Sequence, residues 1–316
     1  MSDAQLSAGA VARFVPGAVA GVCLAAAALV ATALAPVTFP PREEAQAVPA
    51  APRSDATVRL SFVTTARASI PCALLAQGAG LQRCDVAYRA AVVQHGDNVL
   101  LFGTGASPDV MPGFPVLRML PAPVPTGALD TFLAAQPVHQ VLLPTPRWQH
   151  LGGLGAVPLA DVPVYVGRTD AWHVSTGPWP YRLGMDPALL DDARPRLLRL
   201  DWARSRRFGA RASFDVFGDQ TVWALSIRGT TSDEVALVVT LGSGRRVLIV
   251  ADAVWTADQV QALRPRPAWS TWLLDRNRMQ LYHTLRLLHA LGRAGIEVTP
   301  LLDGALDLPE WPQWAE

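Results

Sequence analysis

At 316 residues, 50% of them apolar, the chain is long enough for one large α/β domain with a sizeable core and a tail. Its formal net charge of +1 argues against a general nucleic-acid or strongly acidic partner surface. All 27 basic side chains other than histidine are arginine, which we read as codon bias rather than function.

Residues 1–13 form a short N-terminal tail. Residues 14–41 carry no charged side chain, and residues 17–35 are an almost unbroken Ala/Val/Leu run, close to the ~20 residues a helix needs to cross the hydrocarbon core. A transmembrane anchor over 14–36 is expected. The alternative is a cleaved signal peptide with its small-residue site at Ala33-Leu34-Ala35. Pro36 disfavours that cleavage, and the run exceeds the about 7–15 residues usual for a signal core. A short tail ahead of the span places the domain on the periplasmic or extracellular side, weakly oriented by Arg13 against Arg42, Glu43 and Glu44. The expected partners are therefore the membrane and a membrane-associated protein assembly, with no nucleic acid. Residues 37–56 are Pro/Ala-rich and aperiodic and read as a linker, leaving 57–316 as the folded domain.

From residue 57 apolar and polar side chains alternate, the mark of strands. Cys72 and Cys84 flank a Gly-rich turn; they form a disulfide in an exported domain, or are two small buried hydrophobes in a cytosolic one. Residues 103–125 read as a Pro/Gly-rich connection and 128–135 as a short helix. An apolar run at 141–143 meets a Pro-broken polar turn over 144–149. His150 then opens a helix, and a strand follows at 162–166. Residues 169–175 read as a helix and 177–183 as a loop, whose Trp179 and Tyr181 either line a cleft or pack on the domain's own surface. Seven arginines fall in residues 194–211, a solvated strand-and-turn face or a contact for an anionic partner or lipid headgroup. A hairpin follows over 235–250, turning at residues 242–244. Residues 278–292 place Met279, Leu281, Leu285, Leu288 and Leu291 on one helical face, with Gly292 as the expected cap. His283 and His289 on that helix read as packing or solvent-facing residues. Trp311 and Trp314 near the C-terminus either contact a partner or cover the domain's own sheet.

Several of these stretches together resemble the metallo-β-lactamase-fold hydrolases. Residues 144–154, PTPRWQHLGGL, stand against the signature T-H-x-H-x-D-H-x-G-G-L. Thr145 and Arg147 take the places of two histidines and Gln149 that of the aspartate, while His150 is retained. LLFGTG at 100–105 resembles L-L-F-D-T-G, with Gly103 for the aspartate. RGTT at 228–231 resembles P-G-H-T, with Thr230 for the histidine. The strand ending ADA at 251–253 keeps the bridging aspartate as Asp252, and PLLD at 300–303 resembles P-x-H-D, with Leu302 for the histidine. The resemblance runs along about 250 residues and implies a four-layer αββα sandwich, an α/β fold, behind the N-terminal transmembrane helix.

The family holds two zinc or iron ions that generate hydroxide at neutral pH and polarise the scissile bond. Of the seven corresponding positions, Thr145, Arg147, Gln149, His150, Thr230, Asp252 and Leu302, only His150 and Asp252 keep good ligand chemistry. Arginine has no lone pair to donate, leucine has no donor atom, and a neutral hydroxyl or amide is a poor zinc ligand. Glu234, four residues past Thr230, is weighed as a substitute at the pocket mouth and set aside. The expectation is a degenerate site with no metal cofactor and no confident catalytic residue, and thus a pseudoenzyme acting as a binding or accessory subunit. The alternative is a hydrolase with a rebuilt mononuclear or metal-free site on His150 and Asp252. Arg147 is expected to pair with Asp252 through both carboxylate oxygens, because an unpaired buried carboxylate costs several kcal/mol.

Overall fold

The computed structural model describes residues 56–107, 121–167, 193–202 and 207–316, together with Ala27, Ala31, Val48 and Pro49. Apart from Ala27 and Ala31, the expected anchor at 14–36 lies outside the described residues, as do most of the 37–56 linker and the helix and aromatic loop expected over 169–183. Among the described residues no helix is long and apolar enough to cross a membrane.

Among the described residues twelve strands build two sheets. In chain order they are β1 (Val58–Pro71), β2 (Arg83–His95), β3 (Asn98–Phe102), β4 (Val124–Pro125), β5 (Gln140–Leu142), β6 (Val164–Val166) and β7 (Leu197–Arg199), then β8 (Ala212–Asp215), β9 (Val222–Ile227), β10 (Glu234–Thr240), β11 (Arg246–Val250) and β12 (Glu297–Pro300). The first sheet runs β4-β1-β2-β3-β5-β6-β7 and the second β12-β11-β10-β9-β8. The longer helices are α1 (Ala128–Ala135), α2 (Trp148–Leu151), α3 (Ala257–Gln261), α4 (Ala268–Leu274) and α5 (Arg278–Arg293).

The side-chain period of two assigns residues to layers. On β2, Ala91 and Val93 enter the core between the sheets, where they meet Leu237 and Val239 of β10 and Val247 and Ile249 of β11. Their neighbours Ala90 and Val92 face outward into a second core with Leu129, Phe132 and Leu133 of α1. On β10, Ala236 and Val238 face the opposite way, onto Leu281, Leu285, Leu288 and Leu291 of α5. Helices thus cover the outside of both sheets. Each fully buried leucine on α5 contributes about 1.5–3 kcal/mol by leaving water.

The C-terminal segment protects the open edge of β1. Leu60 and Ala315 exchange backbone hydrogen bonds, and Phe62 donates to Pro309 O at 2.9 Å and accepts from Trp311 N at 2.8 Å. Trp311 meets Phe132 edge-on at 5.6 Å, and Trp311 and Trp314 both pack on the outer core, so they cover their own sheet. Cys72 and Cys84 form a disulfide with Cα atoms 5.0 Å apart. Gly292 is not the cap of α5. The helix runs on to Arg293, with Ala294 in the cap position. The residue with positive φ is Gly295 at +88°, because Leu291 is still needed in the core one turn earlier.

Candidate functional site

The C-terminal ends of β3, β5, β11 and β12 and the start of β10 converge at one rim of the sandwich. Val235 N donates to Pro144 O at 2.9 Å, which ties the loop after β5 to the second sheet. Arg147 precedes α2 in extended backbone (φ −94°, ψ 149°), and its carbonyl accepts from His150 N at 2.8 Å. This turn presents Thr145, Arg147, Gln149 and His150 to the tip of β11.

Asp252 lies at the centre and is 0% exposed. Gln149 Nε2 donates to its Oδ1 at 2.8 Å and Thr145 Oγ1 to its Oδ2 at 2.9 Å. Arg147 Nη1 is 3.6 Å from Oδ2, and His150 Nε2 is 3.6 Å from Oδ1, both beyond hydrogen-bond range. The expected bidentate fork is therefore absent. The amide and hydroxyl occupy the two oxygens, and the guanidinium instead donates from Nη2 to Thr230 O at 3.3 Å and to Leu274 O. It remains an ion pair, with Arg147 2% exposed.

Thr230 turns its hydroxyl to Glu234 rather than to Asp252. Glu234 is not at a pocket mouth: it is fully buried, and its Oε1 accepts from Asp252 N and Ala253 N, each at 2.8 Å. Leu302 packs against Trp255 as a wall. Trp148 is buried in contact with Tyr88, ring centroids 5.3 Å apart. Gly103 leaves His150 Nδ1 without the neighbour an aspartate would supply; a Cβ built there would stand 3.6 Å from that nitrogen. Both His150 ring nitrogens are buried with no hydrogen-bond partner. His283 is exposed and His289 Nδ1 contacts Val260 O at 2.8 Å, so neither reaches this site.

Two residues that no sequence motif marks extend the charge cluster. Arg266 and Asp275 form an ion pair with side chains 1% and 0% exposed, and the guanidinium lies 4.5 Å from the Trp255 ring centroid. Two guanidiniums thus face three carboxyls. Burial pushes Asp252 up, but Arg147, His150 and Arg266 outweigh it and hold the carboxyl well below the usual range. Burial and the Asp252 charge push Glu234 up to about 7, and burial raises Asp275 to about 6 against the pull of Arg266. Asp252 therefore carries the firmest negative charge of the three carboxyls.

No protein-family model and no curated protein sequence matches the chain. Solved structures do match its fold. An N-acyl homoserine lactone hydrolase with product bound at its catalytic metal centre gives a TM-score of 0.63 at 13% identity, covering 82% of this chain and 100% of that one. The dizinc quorum-quenching lactonase AidC gives 0.58 at 13%, covering 83% and 94%. The hydrolase AbOPH of the β-lactamase superfamily gives 0.55 at 14%, covering 87% and 94%. The chain has the metallo-β-lactamase fold.

These neighbours correct the expectation of no metal cofactor: one is dizinc and another holds product at a metal centre, so metal ions are the group this fold implies. Of the seven positions that resemble the family's ligands, His150 and Asp252 are those with good donor chemistry for such an ion. Among the described residues no three His, Cys, Asp or Glu side chains gather closely enough to hold one, and catalytic zinc typically takes three protein ligands. The set present is one short of that number, and Arg147 sets a fixed positive charge beside one of its two donors.

Proposed function

We propose that this chain uses the metallo-β-lactamase fold without hydrolysis, as a binding or accessory protein with a degenerate site, held at a membrane by residues 14–36. One observation carries the reading. The guanidinium of Arg147, a permanent cation, stands 3.6 Å from the carboxylate of Asp252, and both residues occupy positions that resemble the family's metal-ligand positions. Thr145, Arg147, Gln149, His150, Thr230 and Asp252 are all buried. An arginine can neutralise a carboxylate but cannot bind and activate water as a Lewis acid.

A second reading has its own support. Both ring nitrogens of His150 are buried without a hydrogen-bond partner, so no protein group already occupies them in a hydrolase rebuilt on His150 and Asp252. One assay separates the two. Full-length protein, as purified and after incubation with zinc, manganese or ferrous ions, is assayed against an N-acyl homoserine lactone and a β-lactam, beside His150→Ala. The binding reading expects turnover equal to that of the variant under every condition. Metal-dependent turnover that His150→Ala abolishes would establish the second reading instead.

A further inference from the structure

A cleft of about 270 Å³ opens on the outer face of the second sheet, between the turn at Arg207–Gly209, the end of β9 and α5. Arg211, Arg228, Arg286, His283, Gln280 and Thr284 line it, and among the described residues no aspartate or glutamate does. Arg211 and Arg228 bring two guanidiniums to one small concavity, where an anion between them would interact with both.

The cleft has a fixed wall. Thr284 Oγ1 donates to Arg228 O at 2.6 Å and accepts from Arg228 N at 3.3 Å, clamping the loop after β9 to α5. Gly229 passes so near the helix that a Cβ on it would lie 2.4 Å from Leu281 Cα. Arg228 is thereby held at the cleft, and its Nε is buried without a hydrogen-bond partner. An arginine so placed presents its planar donors to a phosphate or similar oxyanion.

We propose that this cleft binds a phosphate-bearing group, carried by a small soluble molecule or by a phospholipid headgroup. Its volume lies just under the roughly 300 Å³ at which drug-sized pockets begin, which suits a diphosphate or a single headgroup. The proposal is independent of the buried cluster, since Thr230 of the same loop faces inward while Arg228 lines the outer cleft.

The test is calorimetric titration of detergent-solubilised full-length protein with inorganic pyrophosphate, and separately with dihexanoyl phosphatidylglycerol below its micellar concentration. Saturable binding of either supports the site. Pyrophosphate alone assigns a soluble ligand, and the lipid alone assigns a headgroup. Arg228→Gln and the exposed Arg211→Gln should each weaken binding about tenfold or more with an unchanged thermal melt. Arg211→Gln keeps the test open if Arg228→Gln does not fold. Absence of binding of both probes at millimolar concentration, or binding that survives the two substitutions together, overturns the proposal.

Discussion

Arg147 Nη1 stands 3.6 Å from Asp252 Oδ2, with both side chains out of water, and neither charge can be removed without exposing the other. Losing one member of a buried pair typically costs ~3–5 kcal/mol, whereas replacing both with apolar side chains can be near neutral. Arg147→Met and Asp252→Leu should each destabilise the fold on that scale. The double variant should recover much of the loss but not all, because Leu274 O, Thr145 and Gln149 also lose partners. Urea unfolding of the four proteins gives the coupling; a cycle additive within about 0.5 kcal/mol would remove the pair as a unit.

Glu234 gives the fold a pH dependence of unusual sign for a carboxylate. Its folded value of about 7 lies above the ordinary 4.5, so the folded state binds the proton more tightly than the unfolded chain. Its stabilising contribution is complete below about pH 4.5 and is lost as pH rises through about 7, on the order of 3 kcal/mol in all. Asp275 acts in the same direction up to about 6. Asp252 acts oppositely, losing its contribution as pH falls below the ordinary carboxylate range. Glu234→Gln keeps an acceptor for Asp252 N and Ala253 N. Its unfolding free energy should fall much less between pH 5 and 7.5 than that of the parent, and parallel curves would contradict the assignment.

How far the sequence revealed this molecule depends on how local each determinant is. The alternation from residue 57 was enough to place β1, and the resemblance of the loop at 144–150 to the family's signature was what set Thr145, Arg147, Gln149 and His150 beside Asp252. The orientation of the guanidinium was beyond it, because two shorter side chains reach the carboxylate first. The Arg266–Asp275 pair was invisible: one arginine among 27 carries no local sign that tertiary packing will seal it. The cap of α5 failed for a similar reason, since the core's demand for Leu291 decided which glycine ends the helix.

The Cys72–Cys84 bridge predicts a thiol count. Unfolded without reductant, the full chain should show one reactive thiol, that of Cys23, and three after reduction. Closing a loop with a separation of 12 residues stabilises by ~3 kcal/mol in the chain-entropy account, so Cys72→Ala with Cys84→Ala should lower the urea midpoint accordingly. Three reactive thiols before reduction would exclude the bridge in the purified protein.

The proposed attachment to a membrane is tested by fractionation. The uncharged stretch at 14–41 should keep full-length protein in the membrane pellet after carbonate washing, while a chain starting near Ser54 should be soluble. A mature chain beginning at Pro36 would identify the stretch as a cleaved signal peptide.

Gly229 and Gly244 separate two costs that a glycine can hide. Both have positive φ, +130° and +83°, so alanine at either meets backbone strain of ~1–2 kcal/mol. Gly244 has nothing within 4 Å of a built Cβ, whereas at Gly229 the same atom would collide with Leu281 N, Cα and Cβ at 2.4–2.5 Å. Relief requires α5 to retreat from the loop, breaking the bonds from Asn277 N to Gly229 O and from Arg276 N to Thr230 O and loosening the Thr284 clamp. Overpacking of this kind adds ~1–3 kcal/mol. At roughly 2–4 °C per kcal/mol for a domain this size, Gly244→Ala should lower Tm by a few degrees and Gly229→Ala by ~10 °C. Equal shifts in the two variants would show that the loop does not press on α5 as described.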